Sequence, residues 1–276
     1  MTAEFRCIRN GQVLLPSGEL AAADIAIEGT AIGAIGRPAA AADRWIDATG
    51  LLVLPGIVDL HGDGFERQIM PRPGVAFPLD VALIDTDRQL LANGITAAFH
   101  ARTCSWEPGL RGRETAVRFV ERLAVMRPQL GCDTRLHLRW ETHNLAMIEA
   151  VERWMDEGAV HLLAFNDHLP EMHAKRGDHA AMVKYAERGQ IDVAGFVAIL
   201  ERTAAAGPEV PAAIERLARA AAARGIALAS HDDKTAADRR RYQALGCAIC
   251  EFPTRAEAMA EAAQPNASVV MGAPNV

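Results

Sequence analysis

The sequence lacks an apolar run of the roughly 20 residues that a membrane-spanning helix needs, and its first residues have no signal-peptide core. It also lacks an excess of basic residues: 29 Lys and Arg stand against 35 Asp and Glu, a net charge of −6. This balance argues against binding of nucleic acid or an anionic membrane through bulk charge, although a local pocket can still attract a phosphorylated substrate. We therefore expect a cytoplasmic protein with neither of those partners.

The five cysteines lack the spacing of a zinc-binding knuckle. Cys247 and Cys250 form a lone C-x-x-C on an apparent strand, without a second pair. Residues three apart on a strand also point to opposite faces, which disfavours a shared metal. We expect all five to be reduced thiols of the core.

The order of predicted elements divides the chain of 276 residues into a small β unit, residues 1–52, and a larger α/β domain, residues 53–276. In the first part, Asn10-Gly11 predicts a β-hairpin. In the second part, strands alternate with helices, which is typical of a parallel sheet, and seven such repeats favour a (β/α)8-type TIM barrel that lacks its last strand. The predicted strands are residues 51–60, 95–100, 135–141, 159–165, 226–230, 247–251 and 268–271.

Three histidines, His61, His168 and His231, stand with acidic residues at the carboxyl ends of predicted strands, and Glu141 ends another. In a barrel these ends meet at one face, where active sites form. Imidazole and carboxylate are the usual ligands of Zn²⁺, Mn²⁺ or Fe²⁺, and Asp63 can face the same way as His61. We expect one or two divalent ions, most readily Zn²⁺, with Glu141 able to bridge two.

For the other histidines the prediction differs. His100 also ends a strand and is kept as a possible second-layer or substrate residue. A structural role is favoured for the remaining five, which are His137, His143, His161, His173 and His179.

A resemblance to a known family makes the prediction of a metal site in a barrel more specific. Residues 46–61 resemble the entry segment of the amidohydrolase superfamily, where a small β-sandwich precedes the first barrel strand; the usual His-x-His is here His61-Gly62-Asp63. The rest of the chain resembles the PhnM-type phosphonate-metabolism hydrolases through residues 59–68 (DLHGDGFERQ), 70–74 (MPRPG), 105–109 (SWEPG), 165–168 (FNDH), 230–233 (SHDD) and 272–275 (GAPN).

The resemblance implies a metal-dependent diphosphatase of the carbon–phosphorus lyase pathway. Such enzymes cut the 5-triphosphate of alpha-D-ribose 1-methylphosphonate 5-triphosphate to the 5-phosphate and release pyrophosphate. The family also implies a possible homodimer. The metal set that it implies is His61, Asp63, Glu141, His168 and His231.

A polyanionic substrate needs further cations. Arg67 and Lys234 are the first candidates because each closely follows a ligand motif, and Arg suits phosphate contacts; a solvated surface charge is an equal alternative. Weaker candidates include Arg72, Arg102 and Arg139.

The resemblance also implies a catalytic Asp at the end of an eighth strand, after residue 276. We therefore expect a chain truncated at its C-terminus, with Asp233 as a weak substitute for the missing base. Two alternatives stay open. The metal centre could attack a carbonyl, as in a deacetylase or cyclic-amide hydrolase, or the chain could be an inert homologue that acts as an interaction subunit.

Overall fold

The computed structural model describes residues 6–36, 44–72, 74–263 and 267–272. Of the GAPN motif only Gly272 lies within these residues, and Pro73 of the MPRPG motif lies outside them. The chain divides into two compact units, Met1–Ile57 and Val58–Val276. The boundary predicted after residue 52 falls five residues before this division.

The first unit, where a small β-sandwich part is expected, forms one five-stranded sheet among the described residues. Strands β1, β2 and β3 pair antiparallel in the order β3-β2-β1, while β4 and β5 pair in parallel with β1. The strands are β1 (Cys7–Leu14), β2 (Leu20–Glu28), β3 (Ala31–Ile35), β4 (Trp45–Asp47) and β5 (Leu52–Val53).

The hairpin predicted at Asn10-Gly11 is wrong, because β1 runs straight through it. Asn10 has a φ of 64°, and the pairing with β2 shifts register between Ile8 and Gly11, so this is a β-bulge. Its side-chain Nδ2 donates to Asp47 Oδ1 at 3.0 Å, which ties the bulge to β4. The turn follows at Gly18, whose φ is 86°. Asn-Gly supplies positive φ to a bulge as readily as to a turn, so the dipeptide alone could not distinguish them.

The second unit alternates strands and helices as predicted, and its seven strands form one sheet in the order β12-β11-β10-β9-β8-β7-β6, with parallel pairing from β7 to β12. The strands are β6 (Ile57–Gly62), β7 (Ile95–Cys104), β8 (Asp133–Glu141), β9 (Leu162–Asn166), β10 (Ala227–His231), β11 (Ile249–Glu251) and β12 (Ser268–Val270). The helices are α1 (Phe65–Ile69), α2 (Leu79–Ala92), α3 (Arg113–Met126), α4 (Ile148–Asp156), α5 (Leu169–Ala174), α6 (His179–Gly189), α7 (Val193–Ala205), α8 (Val210–Ala223), α9 (Ala236–Ala244) and α10 (Ala256–Ala262).

The sheet is curled into a nearly closed barrel. His61 at the end of β6 lies 3.0 Å from Glu251 at the end of β11, measured from Nδ1 to Oε1, although five strand spacings separate them along the sheet. In a flat sheet that separation would be about 24 Å. This curvature confirms the α/β barrel class and brings the strand ends to one face.

The main core lies between the strands and the helices outside them. Trp140, Phe165, Phe119, Val151 and Leu217 are fully buried in it. The long segment between β9 and β10 forms α5 to α8, and a smaller core cluster around Phe196 and Met182 packs part of it.

The prediction that residues 51–60 form one strand is wrong. Pro55-Gly56 separates β5 from β6, and Val58 and Leu60 are 55% and 38% exposed. β6 lies at the end of the described sheet and has a described neighbour on one side only, so its apolar side chains are incompletely covered. No helix among the described residues is long and apolar enough to cross a membrane.

Candidate metal centre

Histidines and carboxylates from the ends of five strands meet inside the barrel mouth. The ring of His61, on β6, lies 5.3 Å from that of His231, on β10, and the ring of His168, just after β9, lies 5.7 Å from His231. Glu251, at the end of β11, and Glu141, at the end of β8, complete the set. Parallel strands place their carboxyl ends at one face, so this convergence follows from the fold.

Glu251 and His137 face each other in an arrangement that calls for a cation. His137 Nδ1 lies 3.2 Å from the carbonyl oxygen of Leu60, which can only accept, so Nδ1 carries the proton. Burial holds the pKa of His137 well below its usual value, so the ring is neutral and Nε2 has a free lone pair. That lone pair lies 3.5 Å from Glu251 Oε2, and both atoms are buried without a hydrogen-bond partner. Two buried acceptors facing each other are costly unless a positive charge lies between them.

His168 lies between two carboxylates. Its Nδ1 is 2.6 Å from Glu141 Oε1 and its Nε2 is 3.3 Å from Asp232 Oδ2. Burial lowers the pKa of His168, but hydrogen bonds to Asp232 and Glu141 raise it further, to about 9. Without a metal this ring is therefore protonated at neutral pH.

His231 connects the two sides of the cluster. Its Nε2 lies 3.0 Å from Arg139 Nη2, and its Nδ1 lies 3.3 Å from Asp232 Oδ2 without the geometry of a hydrogen bond. Burial lowers the pKa of His231 to about 3, so the ring is neutral. Arg139 is itself buried, and it donates to the Asn166 amide oxygen at 3.1 Å from Nε and 3.0 Å from Nη2 once that amide is oriented to satisfy both groups.

The residues present fit a divalent metal. Three buried polar atoms in this cluster have no hydrogen-bond partner among the described residues: His137 Nε2, His231 Nδ1 and Glu251 Oε2. Two groups have donor atoms within 4.8 Å of one another, namely His61, His231 and Glu251, and His168, His231 and Asp232. Nitrogen and carboxylate donors of this kind suit Zn²⁺, Mn²⁺ or Fe²⁺, and the shared His231 leaves room for one or two ions.

Four of the five predicted ligands lie in this connected cluster, and one stands apart. His61, Glu141, His168 and His231 come together as described. Asp63 is exposed at the start of α1, where its carbonyl oxygen accepts from the backbone N–H of Glu66, and it belongs to neither ligand group.

Three other predicted site residues, Arg67, Lys234 and Asp233, lie outside the cluster. Arg67 is exposed on α1, and Lys234 is exposed with its Nζ 3.9 Å from Glu171. Asp233 turns into the core, where its Oδ2 accepts from Ser230 Oγ at 2.6 Å and lies 3.4 Å from the buried Arg239. Asp233 thus has a structural partner and does not face the ligands.

Sequence reasoning missed Glu251 and gave His137 a structural role. Glu251 ends predicted strand 247–251 in the same way that Glu141 ends its strand, so the same rule would have found it. His137 stands four residues before the end of β8, and only the closing of the barrel brings it beneath Glu251.

Two further predictions about cysteine and histidine have clear outcomes. All five cysteines are free and buried, as predicted.

His100 packs outside the sheet against Phe65 and Phe119, with ring centroids 5.2 and 6.2 Å away. Burial lowers the pKa of His100 to about 4, so this residue belongs to the core rather than to the site.

Comparison with curated proteins supports the resemblance. Over 278 aligned residues the chain is 29% identical to the alpha-D-ribose 1-methylphosphonate 5-triphosphate diphosphatase of Escherichia coli (strain K12), covering 98% of this chain and 72% of that protein. A segment of 61 residues is 50% identical to an allantoinase of Enterococcus faecalis, covering 22% of this chain and 13% of that protein. No protein-family model matches.

Solved structures support the fold. An uncharacterized protein superposes with a TM-score of 0.60 at 13% identity, covering 96% of this chain and 65% of that one. The N-acetylglucosamine-6-phosphate deacetylase of Pasteurella multocida superposes with a TM-score of 0.52 at 14% identity, covering 89% and 55%. The chain thus spans less than two thirds of these structures, and its resemblance to the amidohydrolase superfamily and to PhnM-type enzymes is confirmed.

Proposed function

We propose that this chain carries the metal centre of a hydrolase that cuts a phosphoric anhydride, with the 5-triphosphate of alpha-D-ribose 1-methylphosphonate 5-triphosphate as its substrate. The coarse class, a metal-dependent hydrolase, is supported by the similarity to the E. coli diphosphatase and by the ligand groups. The observation that carries it is the buried pair of acceptors, His137 Nε2 and Glu251 Oε2, 3.5 Å apart.

We assign His61, His137, His231 and Glu251 as the ligands of one divalent ion. His168, His231 and Asp232 form the neighbouring group, and Glu141 lies against His168. When bound, a divalent ion polarises the phosphoryl group and makes nearby water more acidic. The native metal is proposed to be Zn²⁺, with Mn²⁺ or Fe²⁺ as alternatives.

Arg139 is the cation that we assign to the phosphoryl oxygens. Its guanidinium is buried among the ligands, 3.0 Å from His231 Nε2, and no carboxylate among the described residues forms an ion pair with it. Burial lowers the pKa of Arg139, yet a guanidinium stays charged at neutral pH and can contact two phosphoryl oxygens at once. A triphosphate would offset this buried positive charge.

Asp232 is the carboxylate that we assign as proton acceptor for the attacking water. Burial raises its pKa, but the hydrogen bond from His168 lowers it further, so it stays ionised at neutral pH. Its φ is 58°, a conformation that non-glycine residues rarely adopt and that is enriched at functional sites. The strained backbone turns its side chain toward His168, whereas Asp233 turns the other way.

The second candidate function is attack on a carbonyl, as in a deacetylase or cyclic-amide hydrolase. Short segments of the chain are about half identical to an allantoinase and a dihydroorotase, 50% over 61 residues and 51% over 55 residues. Those segments cover 22% and 20% of the chain, whereas the similarity to the diphosphatase covers 98%, which favours the anhydride.

The test measures bound metal and product release in the same preparations. The protein, Glu251→Gln and Glu257→Gln are loaded with Zn²⁺ or Mn²⁺, and metal content is measured by plasma mass spectrometry. Pyrophosphate release from the ribose triphosphate is compared with acetate release from N-acetylglucosamine 6-phosphate. Glu257 is exposed on α10, so Glu257→Gln is a control of matched chemistry.

We expect metal-dependent pyrophosphate release that Glu251→Gln lowers by about a hundredfold, together with its metal content, while Glu257→Gln behaves as the unaltered chain. Metal binding with acetate release alone would favour the carbonyl reaction. Metal binding without either product would favour an inert interaction subunit, and no metal binding at all would overturn the ligand assignment.

A further inference from the structure

A large cavity lies away from the metal centre, outside the strand wall. It has a volume of about 1030 Å³, and none of the assigned ligands lines it. Its wall is built by the loop after β7, the first turn of α3, the segment before α2, and residues of α7. Clefts of about 300–1,000 Å³ hold small organic ligands, so the volume alone allows one.

The direction of the side chains on β7 shows that the cavity lies outside the barrel. His100 and Arg102 are two residues apart and therefore share one face of the strand. His100 packs on Phe119 of α3, and the Arg102 guanidinium lies 5.5 Å from the same ring. Arg102 thus points toward the helices, whereas His61 and His231 point into the barrel.

Arg102 is a buried cation that forms no ion pair with any carboxylate among the described residues. It is 1% exposed, its Nη2 donates to the carbonyl oxygen of Leu110 at 2.5 Å, and its Nε is buried with no partner. Burial lowers its pKa to about 10, so it remains charged at neutral pH. A buried charge without a partner is costly, and an anion in the cavity would offset that cost.

A second buried donor belongs to a residue that lines the same cavity. Trp106, which is 6% exposed, also lines it, and its Nε1 has no hydrogen-bond partner in the part of the chain that the structure describes. An indole N–H can only donate, so it too is suited to a ligand oxygen.

The first turn of α3 adds backbone donors. The helix has 14 residues, its N-cap is Gly112, and no side chain caps it. The first N–H groups of a helix have no partner within the helix, and together with the helix dipole they favour an anion. Gly112, Arg113 and Thr115 line the cavity, so these donors open onto it.

The charge of the lining is positive, although the protein as a whole carries −6. Four arginines line the cavity, and none has an ion-pair partner among the residues that the structure describes: Arg102, Arg113, Arg118 and Arg202. Of the two lining acids, Glu107 is neutralised by an ion pair with Arg188, which leaves Glu114.

We propose that this cavity, named here the α3 cavity, binds the phosphate group of a small phosphorylated molecule at a site separate from the metal centre. The phosphate lies at the first turn of α3, within reach of Arg102 and Trp106. The body of the ligand packs on the apolar lining formed by Phe77, Leu110 and Leu145.

The test uses metal-stripped protein, so that phosphate cannot be held by metal. Adenosine 5′-monophosphate, inorganic phosphate and adenosine are titrated by isothermal calorimetry. The variants are Arg102→Met, Arg118→Gln and, as control, Arg122→Gln. Arg122 lies on the same helix one turn further on, pairs with Asp80 and does not line the cavity.

We expect one molecule of the monophosphate to bind per chain, phosphate to bind more weakly, and adenosine not to bind. Arg102→Met and Arg118→Gln each weaken binding by about tenfold or more, because each removes a charged donor, and Arg122→Gln leaves it unchanged. Arg118 is exposed, so Arg118→Gln keeps the test valid if Arg102→Met fails to fold.

Absence of binding at millimolar concentration would overturn the proposal. Binding that Arg118→Gln and Arg102→Met leave unaltered would also overturn it, since the anion would then lie elsewhere. Neither outcome depends on metal content or pyrophosphate release. Failure of this proposal therefore does not contradict the proposed hydrolase activity, which is tested separately.

Discussion

At the scale of single residues, surroundings decide what each histidine does. Two carboxylates raise the pKa of His168 to about 9, whereas burial lowers that of His231 to about 3. His100 has an apolar surrounding of two phenylalanine rings, and burial lowers its pKa to about 4. Histidines that are chemically identical in the sequence therefore carry different charges at the same pH.

His100 makes the stability of the metal-free protein depend on pH. Its pKa is lowered on folding, so between pH 6.5 and about 4 the unfolded chain binds a proton that the folded chain does not. Folding stability therefore falls as pH falls through this window. We expect His100 to contribute a loss of about 2 kcal/mol between about pH 7 and about pH 5. Chemical denaturation at both pH values measures this loss.

The matched variants for this effect are His100→Gln and His173→Gln, the latter on the surface of α5. His100→Gln should lose about 2 kcal/mol less than the unaltered chain over the same pH range, whatever its absolute stability. His173→Gln should keep the full loss. Equal losses in all three proteins would show that His100 is not the titrating group.

At the scale of elements, helix α9 anchors the loop that follows β10. Thr235 caps α9: its Oγ1 accepts from Asp238 N at 3.1 Å, while Asp238 Oδ2 accepts from Thr235 N at 3.0 Å. The same helix carries Arg239, which contacts Asp233 in the core. This capping box therefore fixes the short loop that presents Asp232 to His168.

Thr235→Ala should destabilise the protein by about 1 kcal/mol, because it leaves a backbone donor of the first turn without its partner. Thr235→Ser keeps the hydroxyl and should cost much less. The free energy of unfolding from urea titration gives both values. A cost for the serine variant equal to that of the alanine variant would assign the effect to the lost methyl group and not to the cap.

At the scale of the whole molecule, the proposed metal site joins strands that are distant in sequence. His61 and Glu251 are 190 residues apart, and their strands are five spacings apart in the sheet. A metal held by both binds the folded chain and not the unfolded one, so it stabilises the closed sheet.

Removal of metal should therefore lower the melting temperature. At about one hundred times the dissociation constant, a metal adds about 2.7 kcal/mol, equivalent to about 5–10 °C for a chain of this size. Differential scanning calorimetry with and without a chelator measures the shift. Glu251→Gln should lose most of it, whereas Glu257→Gln should retain it; a full shift in Glu251→Gln would place the stabilising metal elsewhere.

Local patterns predicted the elements because they depend on neighbours in sequence. The alternation of apolar strands with amphipathic helices predicted β7 to β12 and most of their helices, since burial on one face or both leaves a periodic signature. Local patterns gave a wrong prediction at Asn10-Gly11, where the structure has a bulge and not a hairpin turn. They were also wrong at residues 51–60, because the burial of those residues depends on other parts of the fold that cover them.

The sequence by itself placed candidate ligands at strand ends and predicted that they share one face, because a parallel barrel places every carboxyl end at one face whatever the loops do. Only the tertiary structure decided which of those side chains meet. The curl of the sheet brings Glu251 to His61, sets His137 beneath it and leaves Asp63 outside. The α3 cavity likewise brings together Arg102 and Arg202, which are a hundred residues apart in sequence. No local sequence pattern indicates that two such residues line the same cavity.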